Sequence, residues 1–253
     1  MDPIDIDIET ADPAPAAAAP AIAPRPNRWQ AWAEIVLCSG YPTQLLLGLL
    51  IQASGIHPIR DDGSLSGAFV FAVSLLDTAV LLTLIVWLMK RRGERPATIF
   101  FGDRPVAPEV GVGFLSLPAV VTIVIVLMLA IRLGVPALHN VPDNPLEGLL
   151  DSQTGLVAFL FVVIVAGGLR EELQRAFLLH RFRTDLGSAG VGLLITSVAF
   201  GLGHTLQGWD AAIVTGVLGA TWGAIYLARR SAVAPIVSHS LFNSGELLRA
   251  FFT

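Results

Sequence analysis

Long apolar runs, separated by short polar turns, dominate the chain from about residue 29 onward. Seven stretches approach the roughly 20 apolar residues a helix needs to cross a bilayer core of about 30 Å. They are 31–53, 66–90, 110–133, 154–180, 189–205, 210–228 and 232–252. The pattern predicts an all-α fold, a polytopic integral membrane bundle of about seven transmembrane helices, with residues 29–253 as the membrane domain. The fourth stretch is long and ends in polar residues, so its end is expected to project from the membrane. The fifth is short and glycine-rich. Ahead of them, MDPIDIDIETAD carries five acids, and PAPAAAAPAIAPRPNR follows. An acidic start is not the basic start of a secretory signal. Repeated proline stops helix and strand alike. Residues 1–28 are therefore expected to form a disordered cytoplasmic tail.

Basic residues orient such a bundle, because cytoplasmic loops carry an excess of them. The tail, the 90–109 loop and the turns near residues 181–183 and 229–230 hold 11 Lys and Arg. The opposite side holds three: Arg60, Arg132 and Arg249. Arg170 and Arg175 remain inside the fourth stretch. The N-terminus is expected to be cytoplasmic. Trp29, Trp32, Trp87 and Trp209 fall near stretch ends, where aromatic anchors sit.

Composition narrows the class. Apolar types reach 54%, charged types only 14%, and mean hydropathy is +0.69. Ordinary soluble domains carry about 25% charged residues, so a soluble globular protein and a disordered chain are both excluded. A formal net charge of -4 gives nucleic acid no basic face. A single cysteine excludes a disulfide framework and a cysteine-cluster metal site. Fifteen Arg against one Lys, with much Ala, Gly and Pro, points to a GC-rich bacterial genome and so to a bacterial cytoplasmic membrane.

Charges in hydrocarbon are costly unless paired or hydrated, so those inside the stretches mark candidate sites. The fourth stretch holds Arg170, Glu171, Glu172 and Arg175, with Glu171 and Arg175 four apart on one helix face. The fifth ends in Phe200-Gly-Leu-Gly-His204, and the seventh carries His239-Ser-Leu-Phe-Asn243. Glu171 precedes the turn at Gly187 and Ser188 by about as many residues as His204 follows it. In an antiparallel hairpin rising about 1.5 Å per residue the two face each other. His239 lies at a similar depth to Glu171, measured from the basic turns. Each pair alone has a structural reading, an ion pair or an interhelical hydrogen bond. Their convergence on one layer points to a site. Asp77, in the second stretch, reads as a structural partner for Arg170 or Arg175. Gln207 and Asp210 read as a polar turn at the site mouth, and Phe200 as packing.

At these residues the chain resembles the CAAX-protease and bacteriocin-processing, or ABI, group of intramembrane endopeptidases. That group is marked by Glu-Glu-x-x-x-Arg, then Phe-x-x-x-His, then His-x-x-x-Asn. Phe200 with His204 fits the second motif, and His239 with Asn243 the third. The resemblance covers about residues 110–250. The first motif departs, because the run Glu171-Glu172-Leu173-Gln174-Arg175 is one residue short. Glu171 belongs to the motif whichever end anchors it, so it is the expected base, with Glu172 in reserve.

The resemblance implies peptide-bond hydrolysis. Glu171 and His204 would activate a water, His239 and Asn243 would hold the oxyanion, and Arg175 would orient Glu171 and keep it ionised. A second version places zinc on Glu171, His204 and His239, a known type of donor set, although no His-Glu-x-x-His run supports it. The expected partners are the lipid bilayer and a peptide or membrane-protein substrate. Two other functions remain open. One is a non-catalytic immunity or sequestration protein of the same fold. The other is a proton-coupled transporter, for which no internal repeat speaks.

Overall fold

The computed structural model describes residues 27–253, and every regular element among them is helical. Of the expected tail, all but the last two residues lie outside the described residues. Asn27 caps α1 (Arg28–Leu37), its side chain accepting from the Trp29 N–H at 3.0 Å. Arg28 opens that helix. The 31–53 stretch is broken by 40° between α1 and α2 (Tyr41–Ala53). Gly40 sits at the break with φ +90°, and a Cβ there would lie 2.8 Å from Arg170 Nη2. Glycine both takes the left-handed backbone and leaves room for that guanidinium.

The next stretches are α3 (Gly67–Arg91) and α5 (Val106–Gly134), with a short α4 (Pro96–Phe101) in the basic loop between them. The fourth stretch is divided into α6 (Gln153–Val162), a π-helical segment Val163–Arg170, and α7 (Glu171–Thr184). Then come α8 (Ala189–Leu202), α9 (Trp209–Arg229) and α10 (Val233–Phe252).

Among the described residues, α3, α5 and α9 are long and apolar enough to cross a membrane, and the bent pair α1–α2 makes a fourth. The chain is thus an integral membrane protein with three or four such spans, against about seven from the hydropathy pattern. The shortfall has a physical cause. The fourth stretch turns polar where α7 begins, α8 has only 14 residues, and α10 carries His239, Asn243, Glu246 and Arg249. α7 and α10 are inner elements, whereas α8 leaves Val191, Leu194, Val198 and Leu202 exposed. α7 is buried along nearly its whole length, α8 packs on α9, and α10 lies between α5 and the π-helical segment. α5 contributes few buried residues and turns Leu115, Ile125, Val126 and Leu129 outward.

At the basic-loop end the helices are tied by ion pairs. Arg181, fully buried, donates to Glu34 at 2.7 Å and to Glu94 at 2.6 Å. Arg92 bonds Glu34 and Asp185, and Arg229 bonds Glu109 at 2.5 Å. Burial alone would raise the Glu94 carboxyl, but hydrogen bonds and charge from His180 and Arg181 bring it down to about 2. His180, given no role from sequence, belongs to this structural cluster.

Candidate active site

The π-helical segment Val163–Arg170 ends where the paired glutamates begin. Its wider turns fit a pair of glycines. A Cβ on Gly167 would lie 2.7 Å from Asn243 Nδ2, and one on Gly168 would collide with the Ser240 hydroxyl. α10 can therefore seat against bare backbone, which brings His239 and Asn243 up to the start of α7. π-turns inside helices are often found at functional sites.

At that junction the two glutamates separate. Glu172 is sealed: Arg175 and His239 both bond its Oε1, His239 Nδ1 at 2.8 Å, and its Oε2 is buried without a partner among the described residues. Glu171 keeps about 20% of its side chain exposed, with Arg170 Nη1 at 3.9 Å and His239 Nε2 at 3.8 Å. The expected four-residue pairing of Glu171 with Arg175 is thus replaced by a three-residue pairing of Glu172 with Arg175. The reason is position. Arg175 lies over the Phe200 ring, its Cζ 4.6 Å from the centroid, and from there it meets the buried carboxylate.

His204 stands just past the end of α8, with Nδ1 2.8 Å from the Phe200 carbonyl oxygen. Last-turn carbonyls of a helix lack intrahelical partners. The bond places the hydrogen on Nδ1 and leaves Nε2 of the neutral ring as an acceptor. Phe200 does more than fill space. It stands edge-on to both imidazoles, 4.8 Å from His204 and 6.1 Å from His239.

Two cavities meet here, of about 700 Å³ and about 550 Å³. Glu171, Phe200, His204 and Gln207 line both. Arg175 lines only the larger, and His239 and Asn243 only the smaller. Glu172 lines neither. Asp210, buried at the start of α9, bonds His139 at 2.8 Å and closes the rim of the smaller cavity with the loop before α6.

Sequence reasoning passed over three contributors. Trp222 stacks on His239, with ring centroids 3.8 Å apart and 15° between planes, and its indole N–H donates to Ser238. It is the one tryptophan of five that falls mid-stretch, a signal that was available. Arg170 is the second: from sequence it stands only as a partner for Asp77, a pairing that the structure bears out. It is buried against Asp77, which also accepts from Thr43 and Gln44 of α2. Gly167 is the third, legible only once Asn243 is known to face it.

Among the described residues no three His, Cys, Asp or Glu side chains gather as a metal-binding group. His239 engages Glu172 through Nδ1 and His204 engages a backbone carbonyl through Nδ1, which leaves Nε2 of each ring outside those bonds.

No curated protein and no solved structure matches the chain. A family profile does: residues 152–245 match the type II CAAX prenyl endopeptidase Rce1-like family. The matched span runs from the N-cap of α6 to just past Asn243, so it takes in the π-helical segment, both glutamates, Arg175, both histidines and the asparagine. The segment that builds this site is therefore similar to the type II CAAX prenyl endopeptidase Rce1-like family, in agreement with the resemblance to the CAAX-protease group.

Proposed function

We propose that the protein is an intramembrane endopeptidase that hydrolyses a peptide or membrane-protein substrate with a water activated by Glu171 and His204. One observation carries the reading: Glu171 and His204 share the wall between two cavities, while Glu172 is sealed by Arg175 and His239. A base must reach the water it deprotonates, and of the two glutamates only Glu171 has open space before it. His204 Nε2, held as an acceptor, fixes the same water.

The water oxygen bonds to the scissile carbonyl carbon as its proton passes to Glu171. The carbonyl oxygen, now anionic, takes hydrogen bonds from the Asn243 amide and from His239 Nε2 when that ring is protonated. Collapse expels the amine, which takes the proton from Glu171. Glu172 and Arg175 act through His239, holding Nδ1 so that Nε2 points at the cavity. Preorganised donors of this kind stabilise the developing charge without reorganising. No metal takes part in this scheme, and the separated donors support that form of it.

Hydrolysis of a peptide library by purified protein in detergent tests the reading. Activity that survives strong chelation and is lost in Glu171→Gln is the expected result. Full activity in Glu171→Gln with loss in Glu172→Gln would transfer the base to the other glutamate. Loss on chelation, restored by zinc, would overturn the metal-free scheme.

A further inference from the structure

Both cavities open at one end of the bundle. Apart from Ser39 and Gly40 at the break between α1 and α2, the loop residues that line them come from residues 59–65, 139–150 and 203–207. All of these loops join helices at the end away from the basic turns. Neither cavity is lined by any residue of 90–105, 181–188 or 229–232. The larger cavity reaches down to Ile35 and Leu178 and stops about one helical turn short of Arg181.

The other end is shut. Arg181 is fully buried between Glu34 and Glu94, Arg92 joins Glu34 to Asp185, and Arg229 at the end of α9 holds Glu109 at the start of α5. These pairs tie α1, α3, α7 and the loop between α3 and α5 across the floor of the larger cavity. A substrate entering from that side would have to break several buried ion pairs, each costly to separate.

Basic loops stay in the cytoplasm. We infer that the site is loaded from the opposite face, so that its substrates are peptides or membrane-protein segments presented on the extracytoplasmic side. That such a substrate is hydrolysed rests on the endopeptidase reading; the side of entry rests on the cavities, the ion pairs and the orientation set by the basic loops.

Thiol labelling tests it. Cys38, the sole cysteine, is replaced by Ala, and single cysteines are installed at Gly148, Thr196 or Arg183 in the full chain. Gly148 lines the outer part of the larger cavity, with open space where a Cβ would go, and Thr196 lines its interior. Arg183 is exposed beside the basic turn. In right-side-out spheroplasts a membrane-impermeant maleimide should label Gly148→Cys and Thr196→Cys, and should reach Arg183→Cys only after permeabilisation. Labelling of Thr196→Cys from outside should also block peptide hydrolysis. The reverse pattern, labelling of Arg183→Cys alone in sealed spheroplasts, would show a cytoplasmic site. Labelling of all three from one side, or of none before permeabilisation, would equally overturn the inference. External labelling of the cavity positions in a protein that hydrolyses nothing would uphold the side of entry and sink the endopeptidase reading instead.

Discussion

Two sets of buried ion pairs hold this bundle, and they differ in what they leave over. At the basic-loop end the buried carboxylates are engaged: Glu34 by Arg181 and Arg92, Glu94 by Arg181 and His180, Asp185 by Arg92. At the depth of the site, Glu172 is engaged by Arg175 and His239, and Asp77 by Arg170. Glu171 is left with its nearest basic nitrogens at 3.8 and 3.9 Å and with open space on both sides. Close pairing makes a buried charge tolerable, and it also makes that charge chemically idle. The group that can act is the one the network supports without consuming.

The contrast predicts that stability and activity separate between the two regions. The largest effect is expected from Arg181→Ala, which removes the cation shared by Glu34 and Glu94 and leaves them with Arg92 and His180. Removing one partner of a buried pair costs about 3–5 kcal/mol, to be read as unfolding free energy in detergent. Turnover per folded molecule should stay near that of the unaltered protein. A fall in turnover with no loss of stability would break the distinction.

Glu171→Gln comes next and should do the reverse. It keeps volume and hydrogen bonding but removes the base, so turnover should fall about 10²-fold or more with the unfolding midpoint unchanged. Adding His204→Ala should cost little further, since groups acting as one unit are non-additive. Multiplicative losses in the double variant would mean that the two do not share a water.

Arg175→Lys should lose about tenfold in turnover, because a lysine keeps the charge but not the planar fork that spans Glu172 and Phe200. The loss should fall on kcat more than on KM, as the residue acts through His239. Unchanged kcat would place Arg175 in the structural set with Arg181.

The smallest effect concerns pH. The folded Glu94 carboxyl lies at about 2 against an ordinary 4.5. A depressed acid contributes stability that is fully present above its unfolded value and is lost as pH falls toward its folded one. The protein should therefore weaken as pH drops from about 4.5 toward 2. Glu94→Gln should flatten that part of the curve while leaving the neutral-pH activity profile in place. An unaltered acid limb in the variant would show that Glu94 contributes nothing to it.

The sequence carried the helical class, the apolar layers and their polar interruptions, since 3.6-residue geometry and bilayer thickness act on each stretch separately. It also brought Glu171, Glu172, His204, His239 and Asn243 to one layer, because depth follows from counting residues back to a turn. Two outcomes lay beyond it. The number of spans depends on which apolar helices the others enclose. α7 and α10 carry polar side chains as inner elements and α8 is short, whereas α5 is long and turns its side chains outward. The partner of Arg175 depends on rotation about the helix axis. Spacing pointed to Glu171, but the seat of α10 on Gly167 and Gly168 and the ring of Phe200 turned the guanidinium to Glu172. Depth along a helix is a local property of the chain. Which way a side chain faces at that depth is fixed by the neighbours that pack around it, and those come from other helices of the chain.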